Sequence, residues 1–142
     1  MEIIKTIYKT LLESYGPQFW WPAETEFEVM VGAVLTQNTS WNNAEKAIIS
    51  LKSENALNLA SISRMTEARL SILIQSSGFH RVKAKTLKSL VSLIYEEFNS
   101  CIGKFKKLPA DEKRNLLLSI KGIGPETADD IMLYVLDEPR FI

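Results

Sequence analysis

Apolar residues recur at intervals of three and four from Ile4 to Leu136, and nowhere do they alternate with the period of two that a strand needs. That pattern points to one fold class, an all-α, compact multi-helix bundle. Ile4, Ile7, Tyr8, Leu11 and Leu12 make a first apolar stripe, ended by Gly16-Pro17. Thr25 followed three residues later by Glu28 is a capping-box signature that opens a helix over residues 26–36. Phe27, Val29, Met30, Val31, Ala33, Val34 and Leu35 cover every face of that helix, which predicts a central, buried position. Further helices are expected over residues 41–52, near 56–61 and over 65–75, the last ending at Gly78. The clearest stripe, Leu87, Leu90, Val91, Ile94, Tyr95 and Phe98, belongs to a helix beginning near Arg81. Pro109 starts the next, and Ala128, Ile131, Met132, Val135 and Leu136 seat the last helix on the core. With 142 residues, 46% of them hydrophobic, the chain reads as a single helical domain over 1–142.

Between the last two helices lies Leu118-Ser119-Ile120-Lys121-Gly122-Ile123-Gly124-Pro125-Glu126-Thr127-Ala128-Asp129. Pro125 suits a first helical turn, where its missing N–H had no partner to lose. Gly122 and Gly124 allow positive φ and remove the Cβ atoms that would keep another backbone away. Ile123 is expected to pin the turn to the core. The tip then presents free N–H groups at a helix N-terminus, which is an anion site. A helix-hairpin-helix of this form, at about residues 112–136, grips a DNA phosphate without reading base sequence. Lys121, Gly122, Ile123, Gly124 and Thr127 are its candidate phosphate-binding residues.

Seventeen basic and seventeen acidic residues cancel, so any DNA contact has to come from a local patch. Arg81, Lys83, Lys85 and Lys88, followed by Lys104, Lys106 and Lys107, form such a patch, either a solvated face or a track for a DNA backbone. The single cysteine, Cys101, excludes an internal disulfide and a cysteine-rich cluster within these residues. The first residues mix charge with apolar side chains too early for a signal peptide, and no apolar run reaches membrane-spanning length. A cytoplasmic protein without a membrane partner is expected. His80, the sole histidine, reads as structural or DNA-facing, and Cys101 as inert.

Four segments, in order, resemble the helix-hairpin-helix DNA glycosylases of the endonuclease III superfamily: residues 27–39 (FEVMVGAVLTQNT), 77–87 (SGFHRVKAKTL), 116–128, and the closing Asp137-Glu138-Pro139-Arg140-Phe141-Ile142. Phe19-Trp20-Trp21-Pro22 and Gln37-Asn38-Thr39-Ser40-Trp41 look most like the type III 3-methyladenine DNA glycosylases within it. The resemblance implies an endonuclease III-like six-helix barrel. It also implies a base-excision repair enzyme that extrudes a damaged base, an alkylated purine by this likeness, from double-stranded DNA and hydrolyses its N-glycosidic bond. Gln37, at the end of the buried helix, matches the glutamine that fills the gap left by the extruded base; read alone, it is equally a polar helix terminus. Trp20 and Trp41 match the aromatics that sandwich the base, and an indole face favours a cationic ring by about 0.5–2 kcal/mol. Trp21 reads more simply as a loop staple.

Two departures qualify the resemblance. Bifunctional relatives carry a nucleophilic lysine where this chain has Glu126, and a carboxylate cannot form a Schiff base, so a monofunctional hydrolase is implied. The family's catalytic aspartate would follow Ile142, so no catalytic residue is expected within the chain, and residues 1–142 alone are expected to be nearly inactive. Asp129 and Asp130 read as solvated surface, and Asp137 as a helix-end acid outside the pocket. No metal or cofactor is expected here; an iron–sulfur cluster would require cysteines from a further C-terminal region. A non-catalytic helix-hairpin-helix DNA-binding module is the competing class.

Overall fold

A computed structural model describes residues 1–19 and 21–139. Nine α-helices follow one another in it: α1 (Glu2–Tyr15), α2 (Glu26–Leu35), α3 (Trp41–Ser53), α4 (Leu59–Arg64), α5 (Glu67–Leu73), α6 (His80–Phe98), α7 (Ile102–Lys106), α8 (Ala110–Ser119) and α9 (Pro125–Tyr134). A 3₁₀ turn, Gln75–Ser77, precedes α6, and no strand occurs among the described residues. The all-α expectation holds.

Local chemistry sets the helix starts. Thr25 Oγ1 accepts the Glu28 N–H at 3.1 Å, and the Glu28 carboxylate accepts the Glu24 N–H at 3.1 Å, one residue earlier than in the usual reciprocal box. Glu28 is buried and is held by Lys52 Nζ at 3.0 Å. Asn58 Oδ1 accepts the Ser61 N–H at 2.8 Å, which moves the short helix expected near 56–61 to Leu59–Arg64. Thr66 caps α5 through the Arg69 N–H in the same way. Helix α7 has no counterpart in the expected set, because five residues give too little periodicity to read.

Helix α2 is central, as its all-round apolar surface predicts. It packs against α3, α6 and α9, and Met30, Val31, Val34 and Leu35 have lost essentially all solvent contact. The stripe on α1 has the opposite fate. None of its residues is buried, and Ile3, Ile4, Ile7, Tyr8, Leu11 and Tyr15 are each more than half exposed.

Three lysines bind helix ends together. Lys83 Nζ, buried, donates to the Leu35 carbonyl at the end of α2 (2.8 Å) and to the Ser77 carbonyl (2.7 Å). Lys88 Nζ donates to the carbonyls of Ile62, Ser63 and Met65 at the end of α4. Lys113 Nζ, also buried, reaches the Lys106 and Leu136 carbonyls and the Glu138 carboxylate. The last carbonyls of a helix have no partner within it and carry its negative pole, so a long cationic side chain satisfies both needs. This corrects the expected basic patch. Lys83 and Lys88 are occupied inside the fold, and Lys106 is held by Glu26 and Asp137. Arg81, Lys85, Lys104 and Lys107 remain exposed.

Candidate functional site

The hairpin between α8 and α9 is built around one close approach. Gly122 has φ +98°, and a Cβ there would lie 2.1 Å from Thr86 Oγ1. Thr86 is itself fixed: it is buried in α6, and its hydroxyl lies 3.0 Å from the Lys121 carbonyl, to which it donates. Gly124 differs from the expectation. Its φ of −92° is open to any residue, and a Cβ would meet nothing within 4 Å. Gly122 is therefore a requirement of the fold, whereas Gly124 keeps the tip bare. Ile123 is buried as expected, but its N–H is taken by the Ile120 carbonyl at 3.0 Å, so its backbone does not belong to an anion cradle. Among the described residues, the Gly122 and Gly124 N–H groups meet no acceptor. Lys121 is exposed beside them.

Gln37 lies just beyond α2 and reaches across to this turn. Its Nε2 donates to the Gly122 carbonyl at 2.9 Å and to Thr127 Oγ1 at 2.8 Å. Thr127 is buried, and its hydroxyl accepts from Gln37, so its side chain serves the brace rather than the surface. A groove of about 460 Å³ runs along this junction, lined by Gln37, Asn38, Gly122, Gly124, Glu126 and Asp130 among others.

Beside the groove lies an aromatic cavity of about 440 Å³, lined by Trp21, Pro22, Thr36, Thr39, Trp41 and Asp130. Trp41, the first residue of α3, stands edge-on to Trp21, with ring centroids 6.2 Å apart at 78°. Trp21 also contacts Tyr134 at 5.1 Å and lies against Gly32 of α2. It is thus both the staple the sequence suggests and a wall of the cavity. Trp20 lies outside the described residues. Thr36 and Asp130 line the cavity and the groove alike, so the two spaces adjoin.

Neither aspartate of α9 is the solvated surface group expected. Asp129 is buried and takes a two-point contact from Arg114, at 2.8 and 3.1 Å, an arrangement that raises the Arg114 pKa. Asp130 is partly buried, and burial raises its carboxyl above the ordinary range, with the Glu126 and Asp129 charges adding to the effect. A carboxyl raised on folding makes stability fall as pH climbs from the ordinary carboxylate value through the raised one. Asp130→Asn is therefore expected to unfold at a higher temperature than the parent at pH 7, with the gain fading toward pH 4 in thermal melts. Asp137 lies outside both spaces, 3.0 Å from Lys106 Nζ.

The periodicity gave no signal for Phe79. It sits at φ +45° ahead of α6 and is 68% exposed. A bulky aromatic at positive φ is costly, so its exposure stands out. Lys83 ties the carbonyl of Ser77, two residues before it, to the carbonyl of Leu35, two residues before Gln37. Phe79 and Gln37 thus follow two backbone segments held by one side chain. His80 pairs through Nδ1 with Ser71 Oγ at 2.6 Å.

The family model described as HhH-GPD superfamily base excision DNA repair protein matches residues 31–133, which run from the core of α2 to the end of α9. The chain belongs to this superfamily. A provisionally named DNA repair glycosylase of Methanocaldococcus jannaschii is 47% identical over 146 residues, covering 99% of this chain and 64% of that protein. The crystal structure of the H. pylori 3-methyladenine DNA glycosylase (MagIII) bound to 1,N6-ethenoadenine superimposes with a TM-score of 0.79 at 34% identity, covering 96% of this chain and 65% of that one. A trapped endonuclease III–DNA covalent intermediate shares the fold, with a TM-score of 0.71 at 18% identity and 60% of its chain covered. The HhH-GPD chain thus spans just under two thirds of these relatives' length. Among its described residues no helix is long and apolar enough to cross a membrane, and no group of His, Cys, Asp and Glu is placed to hold a metal.

Proposed function

We propose that this chain forms the DNA-gripping and base-binding part of a monofunctional DNA glycosylase acting on alkylated purines in double-stranded DNA. The observation that carries the reading is the adjacency of two spaces. An aromatic cavity walled by Trp21 and Trp41 abuts, through Thr36 and Asp130, a groove edged by the hairpin and Gln37. A base rotated out of a duplex gripped at the hairpin has a short path into that cavity. The likeness to the H. pylori enzyme supports the choice of an alkylated purine. In this reading Gly122 and Gly124 offer N–H groups to a phosphate, with Lys121 beside them. Gln37 and Phe79 fill the gap in the stack, and Trp41 stacks on the extruded base. Gln37 is already braced on Gly122 and Thr127, so little side-chain freedom is lost when it meets DNA. Glu126, exposed at the start of α9, offers no nucleophilic amine, which favours hydrolysis by water over an imine route.

Asp137 is held by Lys106 away from the cavity and does not act on the bond. Because residues 1–142 span only 65% of the H. pylori enzyme and Asp137 is turned to Lys106, they are expected to bind alkylated DNA yet to release 3-methyladenine at least about 10²-fold more slowly than that enzyme, about the effect of one charge-stabilising group. Equal release would assign catalysis to an acid inside this chain.

Binding gives the more direct test. With two to four phosphates gripped, log K against log salt should fall with a slope of about −2 to −4, alike for unrelated duplex sequences. Quenching of tryptophan fluorescence by a methylated purine nucleoside should disappear in Trp41→Ala. Trp21→Ala should also lower stability, since that ring packs on Gly32 and Tyr134. A slope near zero would remove DNA from the reading, and quenching that survives Trp41→Ala would remove the cavity. Salt-sensitive binding with no quenching in the parent protein would instead favour the plain DNA-binding module.

A further inference from the structure

The aromatic cavity is walled by neutral groups except at one point. Of its lining residues, Trp21, Pro22, Thr36, Thr39 and Trp41 carry no charge, and Asp130 supplies a carboxyl. Asp130 lines the groove as well, so it stands where the two spaces meet. Arg114, on the neighbouring α8, is committed to Asp129. Among the described residues no side-chain hydrogen bond or ion pair reaches the Asp130 carboxyl, and its neighbours on α9, Glu126 and Asp129, are acids. A carboxyl kept partly buried at a cost to stability, against an aromatic wall, marks a position held for binding.

We propose that Asp130 is the specificity-determining group of the cavity, selecting a positively charged purine ring over a neutral ring of the same size. The proposal rests on the reading of the cavity as a base pocket and names what sets its preference. A planar ring entering between Trp41 and the cavity floor covers Asp130 and strips water from it. A cationic ring compensates the carboxylate at short range. A neutral ring leaves it charged and less hydrated, or forces it to take up a proton. Attraction to one ligand and penalty against the other act in the same direction, which is how a single group yields discrimination. The indole faces add a preference for the cation, but a smaller one, because they impose no penalty on the neutral ring.

A pair of isomers isolates the charge. 1-Methyladenosine is cationic at neutral pH, whereas N6-methyladenosine has the same composition and is neutral. Residues 1–142, Asp130→Asn and Trp41→Ala are titrated with each nucleoside at pH 7.5, following tryptophan fluorescence. The parent protein should bind the cationic isomer about tenfold more tightly. Asp130→Asn should reduce that ratio to about threefold or less, with the neutral isomer bound as well as before or better. Asparagine has the size of aspartate and removes repulsion from Glu126 and Asp129, so the variant should fold. A ratio unchanged in Asp130→Asn, with quenching lost in Trp41→Ala, overturns the role of Asp130 and leaves the base pocket standing. Equal affinity for both isomers in the parent protein overturns it as well. Quenching by neither isomer in the parent removes the pocket, and the proposal with it.

Discussion

Lys83→Ala should destabilise the protein by about 3 kcal/mol, seen as a lower midpoint in chemical denaturation. The Nζ group donates to two carbonyls, Leu35 and Ser77, in a place closed to water. Each buried carbonyl left without a donor costs about 1–3 kcal/mol. Relief from burying the ammonium returns part of that, and loss of the packed side-chain stem adds to it. Lys83→Met keeps the stem and removes only the donor, so it should lie between the two proteins. Burial also lowers the Lys83 pKa below the ordinary lysine value. The folded state then sheds this proton before the unfolded state does, so the contribution of Lys83 to stability rises with pH through that window. The rise should be absent in Lys83→Met. The loss should extend to function, because the same ammonium holds the segments that lead to Gln37 and Phe79.

Gly122→Ala should cost about 3 kcal/mol, while Gly124→Ala should stay within about 1 kcal/mol of the parent protein. At Gly122 a methyl group meets Thr86 Oγ1 at 2.1 Å, and φ of +98° is strained for any side chain. Thr86 cannot turn away without giving up the Lys121 carbonyl. The Gly122 carbonyl is also an acceptor for Gln37, so strain at this residue reaches the brace between α2 and the hairpin. At Gly124 the backbone is extended and the space is open. The two glycines of one motif thus separate folding from binding. Gly124→Val should fold like the parent and bind duplex DNA much more weakly, because its side chain occupies the approach to the exposed N–H groups. Binding of unchanged strength in Gly124→Val would take the hairpin out of the DNA interface.

Much of the architecture is legible before any coordinates. Helix α2 carries apolar residues on every face, and only a central position can cover them all. Thr25, Pro109 and Pro125 mark helix starts by local hydrogen bonding and a fixed φ, and the structure places starts beside each. The hairpin is equally local, since two glycines, a buried isoleucine and a proline occupy four consecutive positions. The tryptophans suggest an aromatic site because all three flank a single helix, α2, in sequence.

Other features depend on where a side chain comes to rest, and the chain order does not encode that locally. Arg81, Lys83, Lys85 and Lys88 look alike on paper, yet Lys83 and Lys88 meet helix ends within reach of a four-carbon stem, and Arg81 and Lys85 stay in solvent. Gly122 and Gly124 look alike on paper, yet the first adopts φ of +98° against Thr86, thirty-six residues before it, while the second is extended and open. Asp129 and Asp130 are adjacent, but successive residues on a helix point about 100° apart. One therefore meets Arg114, and the other enters the wall of the cavity. Periodicity and turn chemistry, which act within a few residues, determined the helices and the hairpin. The assignment of each charge to a helix end, an ion pair or a cavity was decided only by tertiary packing, because those partners lie on other helices.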